Sequence, residues 1–184
     1  MALAQDVLVT VDDYRLFPET GQRYQVVEGQ LIMAPAPNRY HQEISLNIEF
    51  IICKFLEKHP IGKVYHAPFD VYLDKHNVFQ PDVIFVANDR FSILTDAGAE
   101  GAPNLVIEIL SLRTERLDKE PKRKVYAREG VEEYWLVNPL NETIEVFLLQ
   151  KNPGGPGTRH GGRASFASVC LPGLTFRCRE IFAR

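Results

Sequence analysis

The chain has 184 residues, 45% hydrophobic and 24% charged, with 12 Gly, 12 Pro and a formal net charge of -3. That length suits one domain over 1–184, able to bury roughly 70% of its unfolded surface, and the composition is that of a globular protein. No apolar run nears the ~20 residues of a membrane span, the acidic balance argues against tight nonspecific nucleic-acid binding by the whole chain, and Cys53, Cys170 and Cys178 lack the Cys-x-x-Cys spacing of a zinc site.

The first residues, Met1-Ala2-Leu3-Ala4-Gln5-Asp6, show no basic-then-apolar signal pattern; the three cysteines, odd in number, indicate no disulfide framework, and a reducing cytoplasm is the expected compartment. Thr10-Val11-Asp12-Asp13 predicts a helix start, with Thr10 as N-cap, and a short helix ending near Pro18. Arg23 to Met33 reads as two strands around Glu28-Gly29. Arg39 to Lys58 is the strongest helix: Ile44, Ile48, Ile51, Ile52 and Phe55 recur at helical spacing and form one apolar face. His41, three residues before Ile44, falls near that face.

Strands are then expected at Lys63 to Leu73, Val78 to Val86 and Leu105 to Leu110, with a longer connection over Asn88 to Asn104 between the last two. A helix is predicted over Pro121 to Arg128, stopped by Gly130. Glu133 to Val137 reads as a strand ended by Asn138-Pro139, in a hairpin with Thr143 to Gln150. Lys151 to Gly162, with five Gly and two Pro, is expected to be a loop. Ala164 to Cys170 and Leu174 to Cys178 close the chain as strands around Pro172-Gly173.

Two of these strands carry the chemistry. Gln80-Pro81-Asp82-Val83-Ile84-Phe85-Val86 and Leu105-Val106-Ile107-Glu108-Ile109-Leu110-Ser111 each place one carboxylate inside an apolar run. An isolated carboxylate there would cost several kcal/mol or take up a proton. On adjacent strands in register, with Asp82 on the face of Ile84 and Val86, the two can share a divalent cation. A hard ion such as Mg²⁺ (or Mn²⁺) is the natural partner, and the Ile109 carbonyl could complete the oxygen set. Such an ion would activate water and polarise a phosphoryl group. Between Ser111 and Arg128 lie seven basic residues (Arg113, Arg116, Lys119, Lys122, Arg123, Lys124, Arg128) against three acidic ones, giving +4 there and -7 elsewhere. Lys122, with Lys124 behind it, is the candidate for stabilising charge on the phosphorane, although a solvated helix face would look similar. Ser111 and Thr114 could contact a phosphate or cap the next segment.

The pattern Pro81-Asp82, Glu108-x-Leu110-Ser111, Asp118-x-x-x-Lys122-x-x-x-Tyr126 and Gly130-Val131-x-Glu133-Tyr134-Trp135-Leu136-Val137-x-Pro139 resembles the Uma-two-type restriction endonuclease family. That family lies within the PD-(D/E)xK nuclease-like superfamily. The resemblance extends to Tyr24-x-Val26-x-Glu28-Gly29 and Leu171-Pro172-Gly173-Leu174. It implies an α/β (α+β) restriction-endonuclease-like core, a central mixed sheet flanked by helices, with extra β-hairpins at both ends. It also implies Asp82 and Glu108 as metal ligands and Lys122 as the catalytic lysine, displaced from its usual place two residues after the Glu, where Leu110 stands. Glu28 matches an acidic position of the family and His41 a recurrent polar one. Because Pro121 precedes Lys122, the helix is expected to begin there, leaving Asp118 and Lys122 without a common face and the Lys122 pKa lowered by the helix N-terminus.

The expected protein is a Mg²⁺- or Mn²⁺-dependent endodeoxyribonuclease acting on DNA, with Asp82, Glu108, Lys122 and Glu28 at its site. A homodimer is favoured by analogy with nucleases that meet two strands. The alternatives are a catalytically silent nuclease-fold module that binds DNA or protein, and a metal-independent oligomeric assembly protein.

Overall fold

The structure is a computed structural model, and it describes residues 8–18, 22–34, 36–112 and 114–184. The signal-pattern reading at Met1 to Asp6 and the basic residue Arg113 fall outside these residues.

Helix α1 (Val11–Arg15) begins at Thr10, whose hydroxyl accepts from the Asp13 N–H, while the Asp13 carboxylate accepts from the Thr10 N–H. The expected hairpin follows as β1 (Tyr24–Val27) and β2 (Gln30–Met33). Its two-residue turn has positive φ at both Glu28 and Gly29, 49° and 77°, the hand that matches the twist of the strands. Helix α2 (Arg39–Leu56) is capped by the Asn38 side chain and buries Ile44, Ile48 and Ile52.

Two expected strands are each split. Lys63 to Leu73 becomes β3 (Gly62–His66) and β4 (Val71–Asp74), interrupted around Pro68. Val78 to Val86 becomes β5 (Asn77–Phe79) and β6 (Val83–Ala87), interrupted at Gln80-Pro81-Asp82. A proline cannot donate to a ladder, and at each break the chain passes between two sheets. A 3₁₀ turn (Asn88–Ile93) leads to β7 (Leu94–Thr95) and β8 (Gly98–Glu100), a small hairpin not legible in the sequence. Strand β9 (Leu105–Ile109) follows.

The helix after β9 starts earlier than expected. It runs from α3 (Glu115–Leu117) through a π turn (Asp118–Lys122) into α4 (Arg123–Glu129), where Gly130 ends it at φ 101°. Pro121 therefore lies inside a continuous helical segment. The wider π turn accommodates a residue that lacks an N–H and would clash in an α-helix, and the Asp118 carbonyl accepts from the buried Tyr134 hydroxyl at 2.9 Å.

Strands β10 (Glu133–Asn138) and β11 (Thr143–Leu148) form the expected hairpin. The end of the Gly-rich stretch is β12 (Thr158–Gly161), which pairs with β11 instead of remaining a loop. Strands β13 (Ser165–Ala167) and β14 (Thr175–Arg177) pair, and α5 (Cys178–Ile181) follows.

Among the described residues the strands form two six-stranded sheets and the β13–β14 pair. The central mixed sheet has the order β12-β11-β10-β9-β6-β3, with β9 and β10 parallel. The other is β2-β1-β5-β4-β8-β7. Alternation along the central strands divides the core. Val83, Phe85, Leu105 and Ile107 pack on the α2 side with Trp135, Phe166 and Phe176. Ile84, Val86 and Val106 pack on the other side with Val125 and Tyr126 of α4 and with Val27, Val71 and Phe79 of the second sheet. The outcome is a mixed α+β fold with a sheet flanked by helices and hairpins toward both ends. No helix among the described residues is long and apolar enough to cross a membrane.

Candidate active site

Strands β6 and β9 are antiparallel neighbours, with Val83 opposite Ile107 and Ile84 opposite Val106. One step further along that register Asp82 falls opposite Glu108. Asp82 is not on a strand face with Ile84 and Val86 as expected; it sits in the crossover where the chain enters β6. Its Oδ2 accepts from the Ile109 N–H at 2.7 Å. His41 reaches in from the first turn of α2, its Nε2 lying 3.2 Å from that same Oδ2 and 3.1 Å from the Ile109 carbonyl. Burial lowers the pKa of this imidazole, but the Asp82 carboxylate, the Ile109 carbonyl and Glu108 outweigh it and leave it raised.

Glu108 points to the opposite layer. Its Oε1 accepts from the Lys122 Nζ and the Tyr126 hydroxyl, each at 2.9 Å. Lys122 Nζ also lies 3.0 Å from Asp118 Oδ1. Glu108, Lys122 and Asp118 are only 3%, 3% and 2% exposed. The π turn corrects the sequence expectation: it places Asp118 and Lys122 on one face as an ion pair, and Lys122 is not at a free helix N-terminus. Burial disfavours its ammonium, yet Asp118 and Glu108 prevail and raise the pKa where a lowering was expected. Burial drives the Glu108 carboxyl above the usual carboxylate range, Lys122 opposes the rise, and Asp118 and Asp82 add to it. Two buried carboxylates, Glu108 and Asp118, thus face one ammonium, while Asp82 is met by His41 and the Ile109 N–H. A proton or a cation must balance the excess negative charge in so dry a place.

His41, Asp82, Glu108, Ile109, Asp118 and Lys122 line a cleft of about 800 Å³ together with Ser111, Thr114, Gln80 and the Asn138–Asn141 turn. The Ser111 and Thr114 hydroxyls lie 3.0 Å apart, and the Thr114 N–H donates to Ser111 Oγ. Ser111 and Thr114 therefore shape the turn into α3 while lining the cleft. Two expected participants are not brought here. Glu28 stands exposed at its hairpin tip, 3.3 Å from Arg128, and Lys124 pairs with Glu120 at 3.3 Å; neither lines the cleft. Three residues were missed as site groups. Asp118 and Tyr126 flank Lys122 at i-4 and i+4, a spacing already present in the sequence. Gln80 donates to Asp70 at 2.7 Å and keeps a buried Oε1 without a hydrogen-bond partner.

A mixed sheet with helices on its faces and a polar cleft at the ends of β6 and β9 is a nuclease-like fold. The same fold is found in the crystal structure of a putative nuclease belonging to DUF820 from Anabaena variabilis, with a TM-score of 0.80 and 19% identity over 95% of this chain and 98% of that one. The chain belongs to the Uma2 family, described as "Putative restriction endonuclease", whose profile matches residues 11–178. No curated protein matches the chain.

Proposed function

We propose that the protein is a divalent-metal-dependent endonuclease that hydrolyses phosphodiester bonds in DNA. One observation carries the reading: Asp82 Oδ2 and the Ile109 carbonyl converge on the same nitrogen of His41, in register with Glu108. Oxygens that converge on a proton donor can also converge on a cation.

The donor set suits a hard ion. Among the described residues no three His, Cys, Asp or Glu side chains form a metal cluster, so the protein offers two carboxylates and a carbonyl. Mg²⁺ is commonly held by one or two carboxylates while keeping several waters. Asp82, Glu108 and the Ile109 carbonyl would hold it, and Mn²⁺ fits the same oxygens. When bound, such an ion lowers the pKa of its water and polarises a phosphoryl oxygen.

The chain's own groups have separable roles. The Ile109 N–H orients the Asp82 carboxylate, and His41 braces both Asp82 and the Ile109 carbonyl. Lys122 is the ammonium held against Glu108, available to negative charge developing on the phosphoryl group. Asp118 and Tyr126 position Lys122 and Glu108 and do not themselves meet the substrate. Glu28 is given no part.

Titration of the purified protein with Mn²⁺, followed by loss of the free-ion electron paramagnetic resonance signal, tests the metal site. A saturable site is expected, weakened about 10-fold or more in Asp82→Asn. A folded protein that leaves the free-ion signal unchanged at millimolar Mn²⁺ would contradict the proposal, and would favour the silent-module alternative.

A further inference from the structure

Beside the main cleft, with Lys122 and Asp118 between them, lies a second cavity of about 310 Å³. Val27, Ile32, Met33 and Leu117 form its apolar walls, and Gln25 and Thr114 give it a polar edge. It opens next to the carboxylates assigned to hydrolysis, since Gln25, Thr114, Asp118 and Lys122 line both spaces. Its volume sits at the low end of ligand pockets, suited to one planar ring system. Met33 lies on the edge strand β2 and is 59% exposed; its flexible, polarisable thioether favours the contact of an aromatic ring.

The surroundings suit base faces better than a duplex backbone. Binding of duplex DNA draws on many Lys and Arg contacts to phosphate. Among the described residues lining the main cleft, however, the four acids Asp82, Glu108, Glu115 and Asp118 match the four basic groups Arg23, His41, Lys122 and Arg184, so the cleft has no excess of positive charge. Much of the basic segment downstream is engaged within the molecule: Lys119 with Glu115, Lys124 with Glu120, and Arg128 with Asp74, Glu28 and Glu129. In contrast, two leucines of the cleft are strongly exposed, Leu112 at 86% and Leu140 at 78%.

We propose that the side cavity receives one unstacked base of the bound strand, and that the preferred substrate is unpaired DNA: a single strand, a flap or a frayed end. A base within an intact duplex would have to leave its stack to enter. The choice of DNA substrate rests on the hydrolytic reading, but the test reads binding alone.

Fluorescence anisotropy in Ca²⁺, with a labelled oligonucleotide of about 16 nucleotides, compares the single strand with the same strand in a duplex. The single strand is expected to bind about 10-fold more tightly. Met33→Ser should weaken single-strand binding about 10-fold and leave duplex binding and Tm unchanged, while Leu16→Ser, an exposed leucine outside both cavities, changes nothing. Duplex bound as tightly as the single strand, or Met33→Ser affecting both forms alike or neither, would overturn the proposal. A protein that prefers the single strand yet cuts nothing in any metal retains this inference and loses the hydrolytic one.

Discussion

Replacing Glu133 by alanine is expected to lower the stability of the fold by about 4 kcal/mol. Glu133 is a fully buried carboxylate on the central strand β10. Its Oε1 accepts from the Trp135 indole at 2.8 Å; its Oε2 accepts from the Ser168 hydroxyl at 2.7 Å and from the Val169 and Cys170 N–H groups at 2.8 and 3.2 Å. Alanine strands these donors, and each buried orphan costs about 1–3 kcal/mol. The same contacts tie the segment before Leu171 to the Trp135, Phe166 and Phe176 cluster, so loosening them also disturbs packing. Glu133→Gln keeps one acceptor oxygen but turns an amide NH₂ toward donors, and about half the loss is expected. Urea unfolding measures both variants; an alanine variant within about 1 kcal/mol of the parent would show that these contacts contribute little.

Lys122→Met combines a stability effect with a catalytic one. It removes the ammonium held between Glu108 and Asp118 while nearly conserving volume, so both carboxylates are left buried without their cation. Breaking one side of such a buried pair costs about 3–5 kcal/mol. Hydrolysis by the folded variant is expected to fall about 10²- to 10³-fold, the size of effect seen when a group stabilising transition-state charge is lost. The double variant Asp118→Asn/Lys122→Met separates the two. Removing one of the two stranded carboxylates should recover part of the stability, while hydrolysis stays low. Recovery of hydrolysis together with stability would contradict the assignment of Lys122 to charge stabilisation.

The juxtaposed carboxylates were legible because carboxylates in apolar runs are conspicuous: nothing else in Val83 to Val86 or Leu105 to Leu110 competes with Asp82 and Glu108 for attention. The hairpins were legible from turn chemistry at Glu28-Gly29 and Asn138-Pro139. Tertiary choices were harder to read. Val78 to Val86 looks like one strand, and only the existence of two sheets makes Pro81 a crossover and Asp82 a residue of its bend. The sequence spacing of Asp118, Lys122 and Tyr126 suits a helix, but Pro121 argues against one; the π turn resolves the conflict, stabilised by the Tyr134 hydroxyl from the strand that follows α4. Glu28 matches the family pattern, yet its turn geometry and Arg128 hold it at the surface. The His41 contact required α2 to be docked before its nitrogen could meet the Ile109 carbonyl.

The most direct measurement is nicking of supercoiled plasmid, which offers locally unpaired segments, by the purified protein with Mg²⁺, with Mn²⁺ and with chelator, beside Glu108→Ala. Nicking in the presence of metal, abolished by chelator and by the substitution, is the result predicted by the site built from Asp82, Glu108 and Lys122. Nicking that survives chelation or the loss of Glu108, or its absence with both metals in a folded protein, would contradict it.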